Sequence, residues 1–298
     1  MILRCGGYQG ERSVHTRTLR LIEAELGRAG IAVELNIDVT RHGHKAADLL
    51  GMVECGDLDL CYFNSSYLSE RVASLRLLDL PFLINDRAQA YRHLDGPLGE
   101  RLTGDVGAAT RFRVLGFWDN GFRHISNRLR PVREPRDCDG MKIRTLDNPL
   151  HQEIFRAFGF RPVVVDVKDL PGAVASGAVD AQENPLTNTV NFGIHRSHRH
   201  ISLTAHFFGV ALLLVNAAHF DRWPAAMQQG IRAAAASATR TQRALAVSED
   251  IDCLAQLQKA GCQIVSSDAL DRARFEAAIT DIRSREMAKL DPALTAIF

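Results

Sequence analysis

Over roughly its first two hundred residues the chain switches repeatedly between the two hydrophobic periods that a backbone can satisfy. Short runs such as "MILRC", "IAVELNIDV", "DLDLCYF", "RFRVLGFW" and "RPVVVDV" read as strands. Between them lie segments with helical spacing. "TRTLRLIEAELGRAG" sets Leu19, Ile22 and Leu26 on one face and ends on glycine, and "HQEIFRAFG" does the same with Ile154, Phe155 and Phe158. "KAADLLGMVECG", "SSYLSERVASL", "RAQAYRHL" and the start of "KDLPGAVASGAVDAQEN" also read as helices. Strands interleaved with helices imply an α/β architecture. No internal repeat or low-complexity linker divides the chain.

The pattern then changes. "HISLTAHFFGVALLLVN" holds a run apolar enough to be buried on both faces. From Phe220 to Gly261 follows one long Ala-rich helical stretch, with Pro224 in its first turn and kinks expected at Gly230 and at Ser248–Asp250. "CQIVS" reads as a last strand and "ALDRARFEAAITDIRSREMAKL" as a closing amphipathic helix.

A chain of 298 residues is long enough for two domains with a real core. Its formal net charge of +1, with Lys+Arg 36 against Asp+Glu 35, argues against a nucleic-acid partner. No stretch approaches the length of a membrane-spanning helix, so the protein is not expected to be membrane-embedded. The amino terminus lacks the pattern of a signal peptide. The six cysteines show neither CxxC nor zinc spacing, and most are expected to be small buried residues, with no bond between Cys55 and Cys61.

Two arginines stand where sheet chemistry does not ask for them. Arg123 follows an apolar run and an Asp-Asn-Gly turn; Arg144 sits in "MKIRT", launched from an Asp-Gly turn. Alternation puts Met141, Ile143 and Thr145 on one face of that strand and Lys142 and Arg144 on the other. A guanidinium buried without a partner costs several kcal/mol. Either an internal carboxylate satisfies Arg144, with Asp139, Asp166 and Glu183 as candidates, or a ligand carboxylate does, whose two oxygens match the guanidinium fork. For an arginine at large the internal pair is the commoner answer. Asn184 precedes Pro185, which biases it to extended conformations; its amide can read a polar ligand or simply cap a turn.

Other constellations carry less. His195, His198, His200 and His206 raise the question of a metal, but there is no HExxH motif, and Arg196 and Arg199 would repel a cation. A solvated basic turn is the expectation, with no metal and no cofactor. "CGGYQGER" lacks both phosphate-loop registers, so Gly6 and Gly7 let the backbone leave the sheet beside a cleft. No nucleophile motif is present.

Taken in order, these segments resemble the DctP-type solute-binding proteins of TRAP (tripartite ATP-independent periplasmic) transporters. The resemblance is carried by "GDLDLCYFNSSYLSERVASLRLLDLPFL", "LGFWDNGFRHISNRLRPVREPRDCDGMKIRT", "SGAVDAQENPLTN" and "FDRWPAAMQQGI", which together cover most of the chain. It implies a two-lobed α/β fold like that of periplasmic binding proteins, with a ligand cleft between the lobes and the long helix spanning both. The implied lobes are discontinuous: 1–123 with 207–248, and 124–206 with 249–298, with hinge strands near 122–125 and 204–208. Arg144 would clamp a ligand carboxylate, and Arg123 and Asn184 would add polar contacts. Tyr8 and Gln9 on one loop and Asn64 and Ser65 on another would line the cleft, with Trp118 and Phe207 as apolar walls; ordinary loop or core packing is the alternative for each.

The implied function is non-enzymatic: binding of a small organic acid and delivery to the small and large membrane subunits of a permease, with no ATP-hydrolysing partner. Periplasmic location follows from the resemblance. Exported relatives carry a leader, whereas Met1 here comes directly before the first strand; the intact clamp residues favour a leader missing from this segment over retention inside the cell. The alternatives are a cytoplasmic acid sensor or scavenger on the same fold and, more distantly, a small-acid enzyme using Glu183 with His124.

Overall fold

The structure, a computed structural model, describes residues 2–297. Met1, which opens the expected first strand, and Phe298 lie outside the described residues. The strands are β1 (Ile2–Gly6), β2 (Ala32–Asn36), β3 (Leu60–Asn64), β4 (Phe112–Asn127), β5 (Lys142–Thr145), β6 (Arg161–Val164), β7 (Ala181–Pro185), β8 (His200–Asn216) and β9 (Gln263–Val265). They hydrogen-bond in the order β2-β1-β3-β8-β4-β7-β5-β6, with β9 added on β8.

β1 and β2 are parallel, so a crossover must join them. The helix Val14–Arg28 supplies it. Ser13 caps its start by accepting from the His15 amide, and Leu19, Ile22 and Leu26 form the buried face that their spacing predicted.

β4 and β8 are unusually long, at 16 and 17 residues, and run antiparallel. Phe112–Trp118 pairs with Ala211–Asn216, which continues onto β3. At the other end Ile125–Asn127 pairs with His200–Ser202, and these ends continue onto β7 and β9. Each long strand therefore gives one half to each of two half-sheets, which makes the molecule two-lobed. Between the halves the register slips at Asp119/Phe122 and at Arg123/Ile125. Gly121 has φ 80°, and a Cβ there would stand 3.0 Å from Pro185, so this turn admits little but glycine.

The long helix is Ala225–Lys259, 35 residues without interruption. It runs through Gly230 and Ser248–Asp250, the positions where kinks were expected. Its small buried residues Ala234, Ala235, Ala238 and Thr239 let it approach β4 closely, and Thr239 Oγ1 accepts from Trp118 Nε1 at 3.1 Å.

Three other segments differ from expectation. "SSYLSERVASL" is not one helix: it forms the 3-10 turn Ser65–Tyr67 and the start of another, Ala73–Asp79, although Leu68, Val72 and Leu75 are buried at helical spacing. Pro97–Ala109 is a helix that the sequence pattern did not suggest. The closing helix is two, Arg272–Ala278 and Thr280–Met287, separated at Ile279. All six cysteines are free and only Cys55 is exposed. Among the described residues, no helix is long and apolar enough to cross a membrane.

Candidate ligand-binding site

Arg144 is the third residue of β5, paired with Val163 of β6 and Gln182 of β7. It is 2 % exposed. Its Nε donates to the Val165 carbonyl at 2.8 Å, and its buried Nη2 has no hydrogen-bond partner. None of the three carboxylates considered for it serves. Glu183 is taken by Arg123, Asp166 accepts from the Lys168 amide, and Asp139 lies against Gly159.

Arg123, on β4, is opposite Pro185 of β7 and Phe207 of β8. It grips Glu183 with two prongs, Nε to Oε2 at 2.5 Å and Nη2 to Oε1 at 2.7 Å, and Nη2 also donates to the Glu183 carbonyl and to Asn184 Oδ1. His206 Nε2 stands 3.4 Å from the same carboxylate. Burial works to raise the Glu183 pKa, but Arg123 and His206 together hold the carboxyl far below its usual range. Burial also keeps His206 below its ordinary value despite Glu183.

Two phenols complete the constellation. Burial raises the Tyr67 hydroxyl, against the pull of Arg144 and then Arg123. Burial likewise raises Tyr8, which feels both Tyr67 and Arg123. Tyr67 was not anticipated, although it follows the strand-end Asn64 by three residues; position relative to a strand end was the available signal. Asn64 caps the turn that carries it, accepting from the Ser66 amide at 2.8 Å.

The other anticipated residues divide. Tyr8 and Gln9 line a cavity of about 290 Å³ together with Lys168 and Asn191. Gln9 Oε1 accepts from Ser13 Oγ. A second cavity, about 630 Å³, is lined by Tyr67, Asp147, Val165 and Asp166 among others. Asn184 donates to Gln182 and accepts from Arg123 and Asn188. Ser65 is buried in the Tyr67 turn. Trp118 is wholly buried, stacked on Tyr62, which in turn stacks on Tyr8; it stands one layer behind the cleft. Phe207 stacks on the His151 ring with centroids 4.5 Å apart.

A buried cluster beside the Tyr67 turn was also missed. Asp79 accepts from Ser66 Oγ, from His151 Nε2 at 3.0 Å and from Asn148 Nδ2 at 3.1 Å. Its members are too far apart in sequence to leave a local signature.

The histidine-rich segment is not simply a solvated turn. Arg196 is exposed, but His198 and His206 are fully buried. Among the described residues, no group of three or more His, Cys, Asp or Glu side chains is placed to hold a metal. Glu183 and His124 are committed separately: His124 Nδ1 accepts from the Ala205 amide, and burial pushes its pKa down to about 3.

The family described as bacterial extracellular solute-binding protein, family 7 (DctP), matches residues 34–289. A solute-binding protein of Verminephrobacter eiseniae is 36 % identical over 238 residues, 78 % of this chain and 69 % of that one. The 2,3-diketo-L-gulonate-binding periplasmic protein of Escherichia coli is 29 % identical over 234 residues, 78 % of this chain and 70 % of that one. Among solved structures, a TRAP periplasmic solute-binding protein from a Polaromonas species, bound to D-erythronate, superposes with a TM-score of 0.91 at 27 % identity, covering 100 % of this chain and 98 % of that one. The chain belongs to this family, the DctP-type solute-binding proteins of TRAP transporters.

Proposed function

We propose that the protein is the periplasmic receptor of a TRAP transporter, that it binds a small organic acid between its lobes through Arg144, and that it delivers the acid to the small and large membrane subunits. The observation that carries this reading is the buried Arg144 guanidinium, held by one backbone carbonyl and left with an unpartnered Nη2. A carboxylate supplies the missing charge and two acceptor oxygens in one plane. Arg123, fixed by Glu183, and Asn184 shape the polar side of the cleft. Tyr8, Gln9 and Tyr67 are assigned to the ligand's remaining polar groups, Asn64 and Ser65 to holding the Tyr67 turn, and Trp118 and Phe207 to support from behind. The ligands named for two relatives, D-erythronate and 2,3-diketo-L-gulonate, are sugar acids, which favours that class here.

A thermal-shift screen of organic acids, neutral sugars and amino acids tests the proposal. A ligand at one hundred times its dissociation constant stabilises the fold by about 2.7 kcal/mol. The shift is expected with acids only. Arg144→Ala should lose about 2–5 kcal/mol of binding, enough to erase it. Near-native binding by that variant would overturn the assignment.

A further inference from the structure

The buried charges around the site leave one positive charge uncompensated. Arg123 and Glu183, 5 % and 0 % exposed, neutralise each other through their paired prongs. No carboxylate pairs with Arg144, whose neighbours are the neutral Val165 carbonyl and the Tyr67 phenol. The other polar groups against the two arginines add no charge. Burial keeps the Tyr8 and Tyr67 phenols protonated, burial keeps His124 and His206 neutral, and Asn184 is an amide. Beyond Tyr67 the charge is net negative: Asp166 acts on its phenol and shares the adjoining cavity with Asp147 and Asp169, against the single exposed cation Lys45.

We infer that the site is built for a monoanion, an organic acid with one carboxylate and neutral hydroxyl groups, and that it rejects the dicarboxylate of the same chain length. The inference rests on the assignment of a carboxylate to Arg144. A second carboxylate in the closed site would meet an Arg123 already neutralised by Glu183. It would have to be buried unpaired or take up a proton on binding. A hydroxyl meets no such obstacle, because phenols and amides both donate and accept. The cations at the other mouth, Arg12, Arg41 and Lys168, are exposed and screened by salt, so they do not substitute for a buried partner.

The test is calorimetry of the wild-type protein at neutral pH with pairs of acids that differ only at the terminal carbon: D-erythronate against meso-tartrate, and D-gluconate against D-glucarate. The monocarboxylate of at least one pair should bind about 100-fold tighter than its dicarboxylate or better. Residual dicarboxylate binding should take up a proton, read from buffers of different ionisation enthalpy, whereas monocarboxylate binding should take up none. Glu183→Gln, which frees the Arg123 charge, should narrow or invert the preference. Should that variant not fold, proton uptake by the wild type decides alone. Comparable affinities within each pair, without proton uptake, would overturn the inference while leaving the Arg144 clamp standing. Failure of every acid to bind, or binding that survives Arg144→Ala, would bring down the clamp and the monoanion reading together.

Discussion

Burial costs an imidazolium more than a neutral ring, and this chain carries several histidines into its interior. Burial pushes His15 and His198 down to about 4 and His124 down to about 3. A histidine with a depressed folded-state pKa contributes stability that is fully present above its unfolded value of about 6.5 and is lost as pH falls toward the folded value. Glu183 and Asp79 are also depressed despite burial, but their contribution is lost only below the ordinary carboxyl range, about 4. The interval from pH about 6.5 to about 5 therefore belongs to the histidines, at up to about 1 kcal/mol per pH unit for each. Denaturant midpoints should be flat from pH about 8 to 7 and fall below about 6.5; stability unchanged down to pH about 5 would refute it. These same residues mark a limit of the sequence. Arg196 and Arg199 make the local context look solvated, and only the passage of β8 through the sheet buries His206. Arg123, Arg144 and Asn184 stood out because turns and strand alternation are local. Which arginine takes Glu183 depends on the register of β4 against β7, and that was not legible.

Elements were legible where periodicity was undiluted, as in Val14–Arg28 and Pro149–Ala157. Pro97–Ala109 was not, although Leu98, Leu102 and Val106 are buried at regular spacing, because its glycines depress helix propensity. Ala225–Lys259 is one long helix, as its pattern suggested, and is continuous through the positions where kinks were expected. Gly230 weakens the helix by roughly 1 kcal/mol relative to alanine but does not stop it. Neither does the Ser-Glu-Asp run, whose acids have outside partners: Glu249 pairs with Arg17 and accepts from Thr187, and Asp250 pairs with Arg87. A Cβ at Gly230 would meet only Ile31 Cδ1, at 3.8 Å, an ordinary contact. Gly230→Ala should therefore stabilise the protein by about 0.4–1 kcal/mol, seen as a higher melting temperature. A lower one would mean that this turn of the helix must bend.

At the scale of the whole molecule, we propose that two long strands with a slipped middle let the lobes move without losing either half-sheet. The slips lie at residues 119–125 of β4, and Ala205 of β8, with φ 45°, sits opposite them. We assign the lobes as 1–123 with 207–248 and 124–206 with 249–298, which places Arg144 in one and Tyr8 and Tyr67 in the other. An acid bound between them then favours the closed state by its differential contacts, since no ligand shifts an equilibrium otherwise. Arg41 and Lys168 are exposed and both line the cavity that Tyr8 borders, one on each assigned lobe, so spin labels at those two positions report its width. Cys55 must first be replaced by serine, because it alone of the native thiols is exposed. Addition of a binding acid should shorten and narrow the distance distribution between the labels. The same pair in an Arg144→Ala background should keep the ligand-free distribution at any acid concentration. If the acid binds the wild type and the distribution does not change, closure is not coupled to the clamp, and the assignment of these walls to separate moving lobes fails.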